Sequence, residues 1–276
     1  MSDIEQAPPG VDVTVPSPAR MYDYILGGSA NYAVDREAVK KVRAHMPDLN
    51  DAAWANRGFL QRSVRWLAEQ GIRQFIDIGA GLPTGNNTHD AVHAVAPDAR
   101  ILYVDNDPLV EIHAKALLEG VAGTACITAD FRAPDGLLGH EVTRAMIDFT
   151  QPVALLLVTV THFVSDEDDP WGLVRRYVGG LVPGSYVALS AITSDRQVSE
   201  ELGEVTAVYA RSSSGGGYPR PRAEIERLLT GLEIVPPYEG APAELCYIGE
   251  WGAEDPVAAD SDGSRLGYAA VAKKTA

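Results

Sequence analysis

The sequence contains little cysteine. Cys126 and Cys246 are its two cysteines, and they lie far apart without a CxxC spacing. Such a pair provides neither a disulfide framework nor a structural zinc site. We therefore expect a protein of a reducing compartment that holds no metal.

Long apolar runs and a secretory signal are also missing. The longest apolar run covers residues 153–160 and contains one threonine, whereas a membrane-spanning helix needs about 20 apolar residues. Residues 1–6 are acidic and precede Pro-Pro-Gly rather than an apolar stretch, unlike a secretory signal. These features predict a soluble cytoplasmic protein with no membrane partner.

Basic residues are scarce compared with acidic ones. The chain has 23 Lys and Arg against 38 Asp and Glu, a formal net charge of −15, and a negative field repels phosphate backbones. Arg211, Arg220, Arg222 and Arg227 fall in one short region and could form a local basic patch, but scattered solvated arginines are the simpler interpretation. We expect no nucleic-acid partner.

The chain has three parts by sequence pattern. Residues 1–18 contain four prolines and little apolar periodicity, which predicts a flexible arm. Residues 19–71 repeat apolar side chains at three- and four-residue spacing, which predicts helices. Residues 72–276 alternate strand and helix patterns, which is typical of a parallel sheet covered on both faces.

Seven strands and six helices are expected in the third part. The predicted strands are 73–78, 100–105, 124–129, 152–161, 184–192, 232–237 and 265–273. The predicted helices are 84–95, 108–120, 138–148, 167–180, 197–212 and 221–231. The run at 153–160 lacks polar alternation, which indicates a central strand buried on both sides next to the first one.

A glycine turn follows the first predicted strand. The segment at 74–84 reads QFIDIGAGLPT, so that Gly79 and Gly81 permit close backbone approach to a ligand, and a helix beginning near Thr84 or Asn86 adds free amides. The second strand ends at Asp105, whose carboxylate suits a ribose diol. This arrangement predicts a nucleotide-type site.

The ligand class remains open from these residues alone. Nicotinamide or flavin dinucleotides and S-adenosylmethionine all need close backbone approach here. The glycines give G-x-G-x-x-x-G with Pro83 inserted, rather than the dinucleotide pattern G-x-G-x-x-G. After the third strand, Asp130 and Phe131 suit an adenine amine and ring face, although Asp130 could instead cap the next helix.

The order Asp77-x-Gly79-x-Gly81, Asp105, Asp130-Phe131 and the strand end Thr161-His162 resembles that of class I S-adenosylmethionine-dependent methyltransferases. The segments PARMYDYILGG at 18–28, Asn31, Asp35-Arg36, Asn56-Arg57 and DIGAGLPT at 77–84 resemble a bacterial family of S-adenosyl methyltransferases. The resemblance implies an α/β, Rossmann-like fold with a seven-stranded, mostly parallel sheet. Its implied strand order is 3-2-1-4-5-7-6 with the last strand antiparallel. The helices of residues 19–71 have no place in the bare nucleotide fold, and we expect them to form a lid over the cofactor.

The resemblance also implies a cofactor site. Gly79 and Gly81 approach the methionyl part of S-adenosylmethionine, Asp105 holds its ribose, and Asp130 and Phe131 flank its adenine. Pro83 stands where the typical turn has another glycine. The full predicted cofactor-binding set is Gly79, Ala80, Gly81, Asp105, Asn106, Asp130, Phe131, Thr161, Tyr22, Asn31 and Arg57.

Methyl transfer mainly requires alignment of the acceptor and exclusion of water. His162 follows the fourth strand and is the candidate general base if its pKa is near neutral; a structural histidine is the alternative. Tyr22 could face the sulfonium or belong to the core. Asp35-Arg36 and Asn56-Arg57 could position the lid through hydrogen bonds to the cofactor carboxylate, for which Arg57 suits bidentate capture. Surface salt bridges are the alternative. Residues 211–221 are either a linker or a loop over the substrate.

We predict methyl transfer to an oxygen or nitrogen nucleophile of a small-molecule acceptor, with S-adenosylhomocysteine as product. Two alternatives stay open. One is a noncatalytic module that binds S-adenosylmethionine or S-adenosylhomocysteine and acts through a partner. The other is an NAD-dependent oxidoreductase, which the missing third glycine disfavours.

Overall fold

The structure, a computed structural model, describes residues 7–83, 85–195 and 199–276. Thr84 and residues 196–198 therefore lie outside the described residues, as do residues 1–6 of the predicted arm. The strands are β1 Gln74–Ile78, β2 Arg100–Asp105, β3 Thr124–Thr128, β4 Ala154–Val158, β5 Tyr186–Ile192, β6 Glu233–Ile234, β7 Cys246–Tyr247 and β8 Gly267–Lys273.

Helices precede the sheet and connect its strands. They are α1 Pro18–Ile25, α2 Ala33–His45, α3 Leu49–Glu69, α4 Thr88–His93, α5 Pro108–Leu117, α6 Pro134–Gly139, α7 Glu141–Met146, α8 Pro170–Gly179, α9 Ser199–Tyr209 and α10 Arg222–Arg227. Two short 3₁₀ turns cover Thr161–Phe163 and Ser264–Leu266.

Within the described residues, the strands form one eight-stranded sheet in the order β3-β2-β1-β4-β5-β8-β6, and β7 pairs separately with β8. Strands β1 to β5 are parallel, whereas β8 is antiparallel to β5. This confirms the predicted α/β class and strand order, with β8 in the place of the seventh predicted strand. The additional strand, β7, has two residues and no readable alternation.

The core lies on both faces of the sheet. In β4, Leu155 and Leu157 belong to the apolar cluster on one face, and Leu156 and Val158 to the cluster on the other. Successive side chains of a strand point to opposite faces, so a strand that is apolar throughout must be covered twice. Helix α8 contributes Leu173 and Val174 to the first cluster, and α3 contributes Phe59 and Val64 to the second, so helices cover both faces.

Two predicted helices differ from the observed ones. The expected helix at 138–148 is instead α6 and α7, which are separated at His140 because this residue leaves the helical conformation with ψ of 139°. The expected helix at 84–95 begins only at Thr88. Asn87 caps it, and Asp90 accepts a hydrogen bond from the Asn87 N–H at 2.8 Å, which fixes the start of α4.

The N-terminal helices α1 to α3, which we call the lid helices, share an apolar cluster with α9. It joins Met21 and Ile25 of α1, Val42 of α2, Ala53 of α3 and Val205 of α9. Helix α9, which follows β5, therefore packs with the N-terminal helices over the carboxyl edge of the sheet.

Buried ion pairs and hydrogen bonds tie residues 12–17 to the lid. Arg20 donates to the carbonyl oxygen of Asp12 at 2.8 Å and pairs with Asp35 at 3.2 Å. Ser17 donates through its amide to Asp35 at 2.9 Å and through its hydroxyl to Asp107 at 2.5 Å. Asp107 is the cap of α5, so this part of the chain is linked directly to the helix that follows β2.

Candidate functional site

A cavity of about 210 Å³ lies between the carboxyl ends of the strands and the lid helices. Parallel α/β sheets bind their ligands at this edge. Ten residues of the predicted site line the cavity: Tyr22, Arg57, Gly79, Ala80, Gly81, Asp105, Asn106, Asp130, Phe131 and His162.

Gly79 and Gly81 form the turn after β1 with positive φ angles of 73° and 67°. The amides of Gly79 and Ala80 donate to the carbonyl oxygen of Val104 at 2.8 and 3.1 Å, which holds the turn against β2. A Cβ atom at Gly79 would lie 2.7 Å from a methyl carbon of Val160. A larger residue is therefore excluded at Gly79 by conformation and by packing.

Asp105 connects this turn to the end of β2. Its carboxylate accepts hydrogen bonds from the amides of Gly81 and Asp107, each at 2.9 Å. Burial raises its pKa to about 6, against the opposing effect of these amides. Each oxygen of the ionised group retains further acceptor capacity, so Asp105 can receive two hydroxyl donors from a ligand in the cavity.

The segment after β3 brings Asp130 and Phe131 into the cavity lining. Asp130 does not cap a helix, because α6 starts at Pro134 with Ala133 as its cap. Instead the carboxylate of Asp130 pairs with the guanidinium of Arg132 at 2.6 Å, and this pairing helps to lower its pKa. The ring of Phe131 is stacked on Tyr177 at 5.3 Å and is 5% exposed.

Arg57 is a buried cation with an unused donor. Its Nη2 donates to the carbonyl oxygen of Asn86 at 2.9 Å, beside the glycine turn, whereas its Nε is buried without a hydrogen-bond partner. Asp77 lines the same cavity, and its carboxylate accepts a hydrogen bond of 2.6 Å from the Thr88 hydroxyl. Burial raises the pKa of Asp77 to about 6, although Thr88 and Arg57 both lower it.

A hydrogen-bond network joins the lid to the sheet. Asn56 donates to the Tyr22 hydroxyl at 3.0 Å and to the Thr159 hydroxyl at 3.3 Å, and it accepts from Ser190 at 2.6 Å. Thr159 follows β4 with a φ of 54°, a strained conformation for a β-branched residue. Such strain concentrates at functional sites.

Two residues of the predicted set do not line the cavity. Asn31 donates to Asp23 at 2.8 Å and to the carbonyl oxygen of Gly28 at 3.0 Å, and thus holds the turn between α1 and α2. Thr161 is fully buried, and its hydroxyl has no hydrogen-bond partner. Asp35 and Arg36 also stay within the lid, where Arg36 donates to the carbonyl oxygen of Asn31 at 2.9 Å.

His162 lines the cavity as a buried imidazole, with its Nδ1 unpartnered. Burial, assisted by the positive charge of Arg220, lowers its pKa to about 3. The near-neutral pKa on which its assignment as general base depended is therefore not found. The imidazole is neutral at physiological pH and has a weak affinity for a proton.

Residues 211–221 form part of the cavity. Ser213, Ser214 and Gly217 line it, which favours the interpretation as a loop over the ligand. The backbone of this loop is attached at two points, since the Ser213 amide donates to the carbonyl oxygen of Pro16 at 2.8 Å and the Tyr218 amide to that of His162 at 2.7 Å.

The suspected basic patch is divided among acidic and backbone partners. Arg220 is buried and pairs with Asp166 at 2.7 Å, Arg222 pairs with Glu244 at 2.9 Å, and Arg227 pairs with Glu224. Each of these three positive charges is paired with a carboxylate, which argues against a continuous cationic surface.

Several lining residues were not in the predicted set: Ser17, Asn56, Asp77, Arg132, Thr159 and Tyr209. Asp77 and Asn56 stand inside segments that carried the resemblance, so a stricter use of those motifs could have found them. Tyr209 comes from α9, and no local pattern connects that helix to the site.

Among the described residues, no helix is both long enough and apolar enough to cross a membrane. The same residues contain no group of three or more His, Cys, Asp or Glu side chains placed to hold a metal ion.

Comparison with known proteins gives one family. The family model for S-adenosyl methyltransferases matches residues 4–275. No curated protein matches the chain.

Two solved structures are similar over almost the whole length. One is a candidate methyltransferase from Thermobifida fusca YX, with 39% identity, a TM-score of 0.89 and coverage of 98% of each chain. The other is a DUF574 family protein from Streptomyces avermitilis MA-4680, with 37% identity, a TM-score of 0.86 and coverage of 95% of this chain and 99% of that one.

A more distant likeness concerns the fold alone. The plantazolicin methyltransferase BpumL, solved with a substrate analogue and S-adenosylhomocysteine, is 10% identical, with a TM-score of 0.50 and coverage of 94% of this chain and 96% of that one. Because the family model covers nearly the entire sequence, this chain belongs to the S-adenosyl methyltransferase family and is an S-adenosylmethionine-dependent methyltransferase.

Proposed function

We propose that the protein transfers a methyl group from S-adenosylmethionine to an oxygen or nitrogen nucleophile of a small-molecule acceptor. The observation that carries this proposal is the position of Asp105 and Arg57 in one cavity beside the glycine turn. A carboxylate with spare acceptor capacity and a guanidinium with a spare donor complement the ribose diol and the amino-acid carboxylate of the cofactor.

The unpartnered Arg57 Nε is the sharpest indication of fit. A buried donor without a partner is costly, and a ligand carboxylate would satisfy it with a charge-assisted hydrogen bond. Arg57 also lies close enough to Asp77 to affect that residue's pKa. We assign Arg57 to the cofactor carboxylate and Asp77 to the ordering of the turn and α4 through Thr88.

The remaining cavity residues supply the other cofactor contacts. Gly79, Ala80 and Gly81 would border the methionyl part, and Asn106 would lie beside the ribose next to Asp105. Asp130 and Phe131 would border the adenine. One face of the Phe131 ring is stacked on Tyr177, and the residue is 5% exposed, so only a small part of this side chain would meet the base.

The bound cofactor supplies an activated methyl group, and the chain has to align the acceptor and keep water out. The lid helices cover the cavity, and the Asn56 network fixes Tyr22 relative to β4 and β5. His162 remains our candidate for a polar contact with the acceptor. Its low pKa favours a hydrogen-bonding role over storage of a proton.

A small acceptor agrees with the charge distribution. The net charge of −15 and the pairing of Arg220 and Arg222 with carboxylates disfavour nucleic acid. Cys126 and Cys246 are both free thiols, which agrees with action in a reducing cytoplasm.

The test is calorimetric titration with S-adenosylmethionine, S-adenosylhomocysteine and NAD. We expect saturable binding of the two sulfur ligands and none of NAD. Asp105→Ala should abolish or strongly weaken binding, whereas Asp98→Ala, at an exposed carboxylate, serves as the matched control. Binding of NAD alone, or unchanged affinity in Asp105→Ala, would contradict the proposal.

A further inference from the structure

The charged and apolar walls of the cavity come from different parts of the sheet edge. The charged lining residues within the described chain are Arg57, Asp77, Asp105, Asp130 and Arg132. Asp77 belongs to β1, Asp105 ends β2, Asp130 and Arg132 follow β3, and Arg57 contacts the turn after β1. Because the strand order is β3-β2-β1-β4-β5, all five side chains belong to one half of the edge.

The other half carries apolar and aromatic side chains. It lies beyond β4 and β5, beneath α1, α2 and α9. Its walls include Ile25, Val42, Met46, Phe163, Val205 and Tyr209. We call this half of the cavity the apolar compartment.

The polar groups of this compartment are neutral. His162 has a pKa of about 3, and burial raises the pKa of Tyr209 to about 12, so both side chains are uncharged at physiological pH. The rings of Phe163 and Tyr209 contact each other with centroids 5.5 Å apart. Arg220, whose charge acts on His162, is already engaged by Asp166 and by the carbonyl oxygens of Thr161 and Val164. An ionised ligand group placed here would therefore lose its hydration without gaining a free counter-charge, which is strongly unfavourable.

We propose that the methyl acceptor is an uncharged, largely apolar small molecule, with an aromatic or aliphatic body that occupies the compartment between Phe163, Tyr209 and Val205. This inference rests on the proposed function, because it places the cofactor in the charged half. The part of the acceptor that enters the apolar compartment therefore carries no phosphate group, no carboxylate and no charged peptide terminus. A single neutral hydroxyl, amide or amine of the acceptor can meet His162.

A matched pair of aromatic probes tests the charge requirement. The protein is saturated with S-adenosylhomocysteine and titrated with 2-naphthol or with 2-naphthoate, which share a ring system and differ in charge at neutral pH. We expect 2-naphthol to bind at least about tenfold more tightly than 2-naphthoate. Equal or tighter binding of 2-naphthoate, or no binding of 2-naphthol, overturns the proposal.

Substitutions in α9 locate the binding. Val205→Trp fills the compartment and should reduce 2-naphthol affinity at least about tenfold. Ala207→Trp, on the exposed side of the same helix, should leave it unchanged. Thr206 also lines the cavity but is less buried than Val205. Thr206→Trp therefore replaces Val205→Trp as the test if that variant does not fold. Loss of affinity in Ala207→Trp alone contradicts the location.

The two proposals fail differently. If the protein does not bind S-adenosylhomocysteine, the proposed function is contradicted, and the naphthol comparison is made on the free protein. If it binds S-adenosylhomocysteine but prefers the charged probe, only the assignment of the acceptor class fails.

Discussion

The side-chain amide of Asn56 in α3 donates a hydrogen bond of 3.0 Å to the hydroxyl oxygen of Tyr22 in α1. The same hydroxyl donates to the carbonyl oxygen of Ala53 at 3.0 Å. Since Asn56 also contacts Thr159, which follows β4, and Ser190 in β5, this pair connects the lid to the strands that carry the cavity.

Tyr22→Phe should therefore loosen the lid. The change leaves the Ala53 carbonyl oxygen and one Asn56 donor with fewer partners, and we expect a loss of about 1 kcal/mol in the free energy of unfolding. Urea denaturation measures it, and hydrogen exchange should show faster opening of α1. Tyr24→Phe is the control, because this network does not use the Tyr24 hydroxyl. Equal losses in both variants would contradict the role of the pair.

Asp105 should make cofactor binding depend on pH. Its pKa of about 6 means that the carboxylate becomes protonated as the pH falls below that value, and a protonated carboxyl cannot accept from both ribose hydroxyls. Affinity for S-adenosylhomocysteine should fall below pH 6 by up to about tenfold per pH unit. Calorimetry at pH 5 to 8 measures this fall.

The neighbouring Asp77 has a pKa of about 6 as well, so variants must assign the effect. Asp105→Asn should bind weakly and lose most of the pH dependence, whereas Asp77→Asn should retain it. The reverse pattern would transfer the titrating role to Asp77.

Arg57→Lys should weaken binding only of ligands that carry the amino-acid part. Lysine keeps the charge but cannot form the paired contacts of a guanidinium, and we expect about tenfold or greater loss of S-adenosylhomocysteine affinity. The affinity for 5′-methylthioadenosine, which lacks the carboxylate, should stay nearly constant. Arg65→Lys, at an exposed position of the same helix, is the control. A similar loss for both ligands would indicate a structural defect.

His162 should stay neutral in the folded protein. Its pKa is lowered from 6.5 to about 3, so NMR should show no titration of this imidazole between pH 5 and 8. In the unfolded chain the residue titrates near its ordinary value. Below about pH 6.5 the unfolded chain therefore binds a proton that the folded protein does not. The free energy of unfolding should fall with pH in this range, by up to about 1.4 kcal/mol per pH unit.

His162→Gln should reduce this acid sensitivity, because glutamine has no proton to gain in this range. Denaturation curves at pH 4 to 7 give the comparison. An imidazole that titrates near pH 6.5 in the folded protein would restore His162 as a conventional general base.

The sequence predicted the sheet well because its signals are local. Apolar runs such as the one containing Leu155 specify a doubly covered strand, and Gly79 with Asp105 marks a ligand turn at the ends of two strands. The two-residue β7 had too few residues for a pattern. Helix α4 was expected to start near Thr84 or Asn86. It starts at Thr88 because Asn87 and Asp90 form a capping box there.

The candidate site was predicted only in part. Asn31 belongs to the recognised N-terminal motif, yet its side chain stabilises the turn at Gly28 and does not line the cavity. The pKa of His162 depends on burial and on Arg220, which is distant in sequence. Sequence indicates that a side chain can titrate, whereas its surroundings in the fold determine the pH at which it does so.

The sequence by itself determined the glycine turn and the family, because both follow from residues that are close together in the chain or carried by a motif. The order of the strands followed only from the resemblance to that family. Only the tertiary structure decided that α9 joins α1 and α2 over the site, and that the cavity has a charged half and an apolar compartment. The physical reason is that hydration, charge pairing and packing depend on distances in space between segments that the sequence keeps apart.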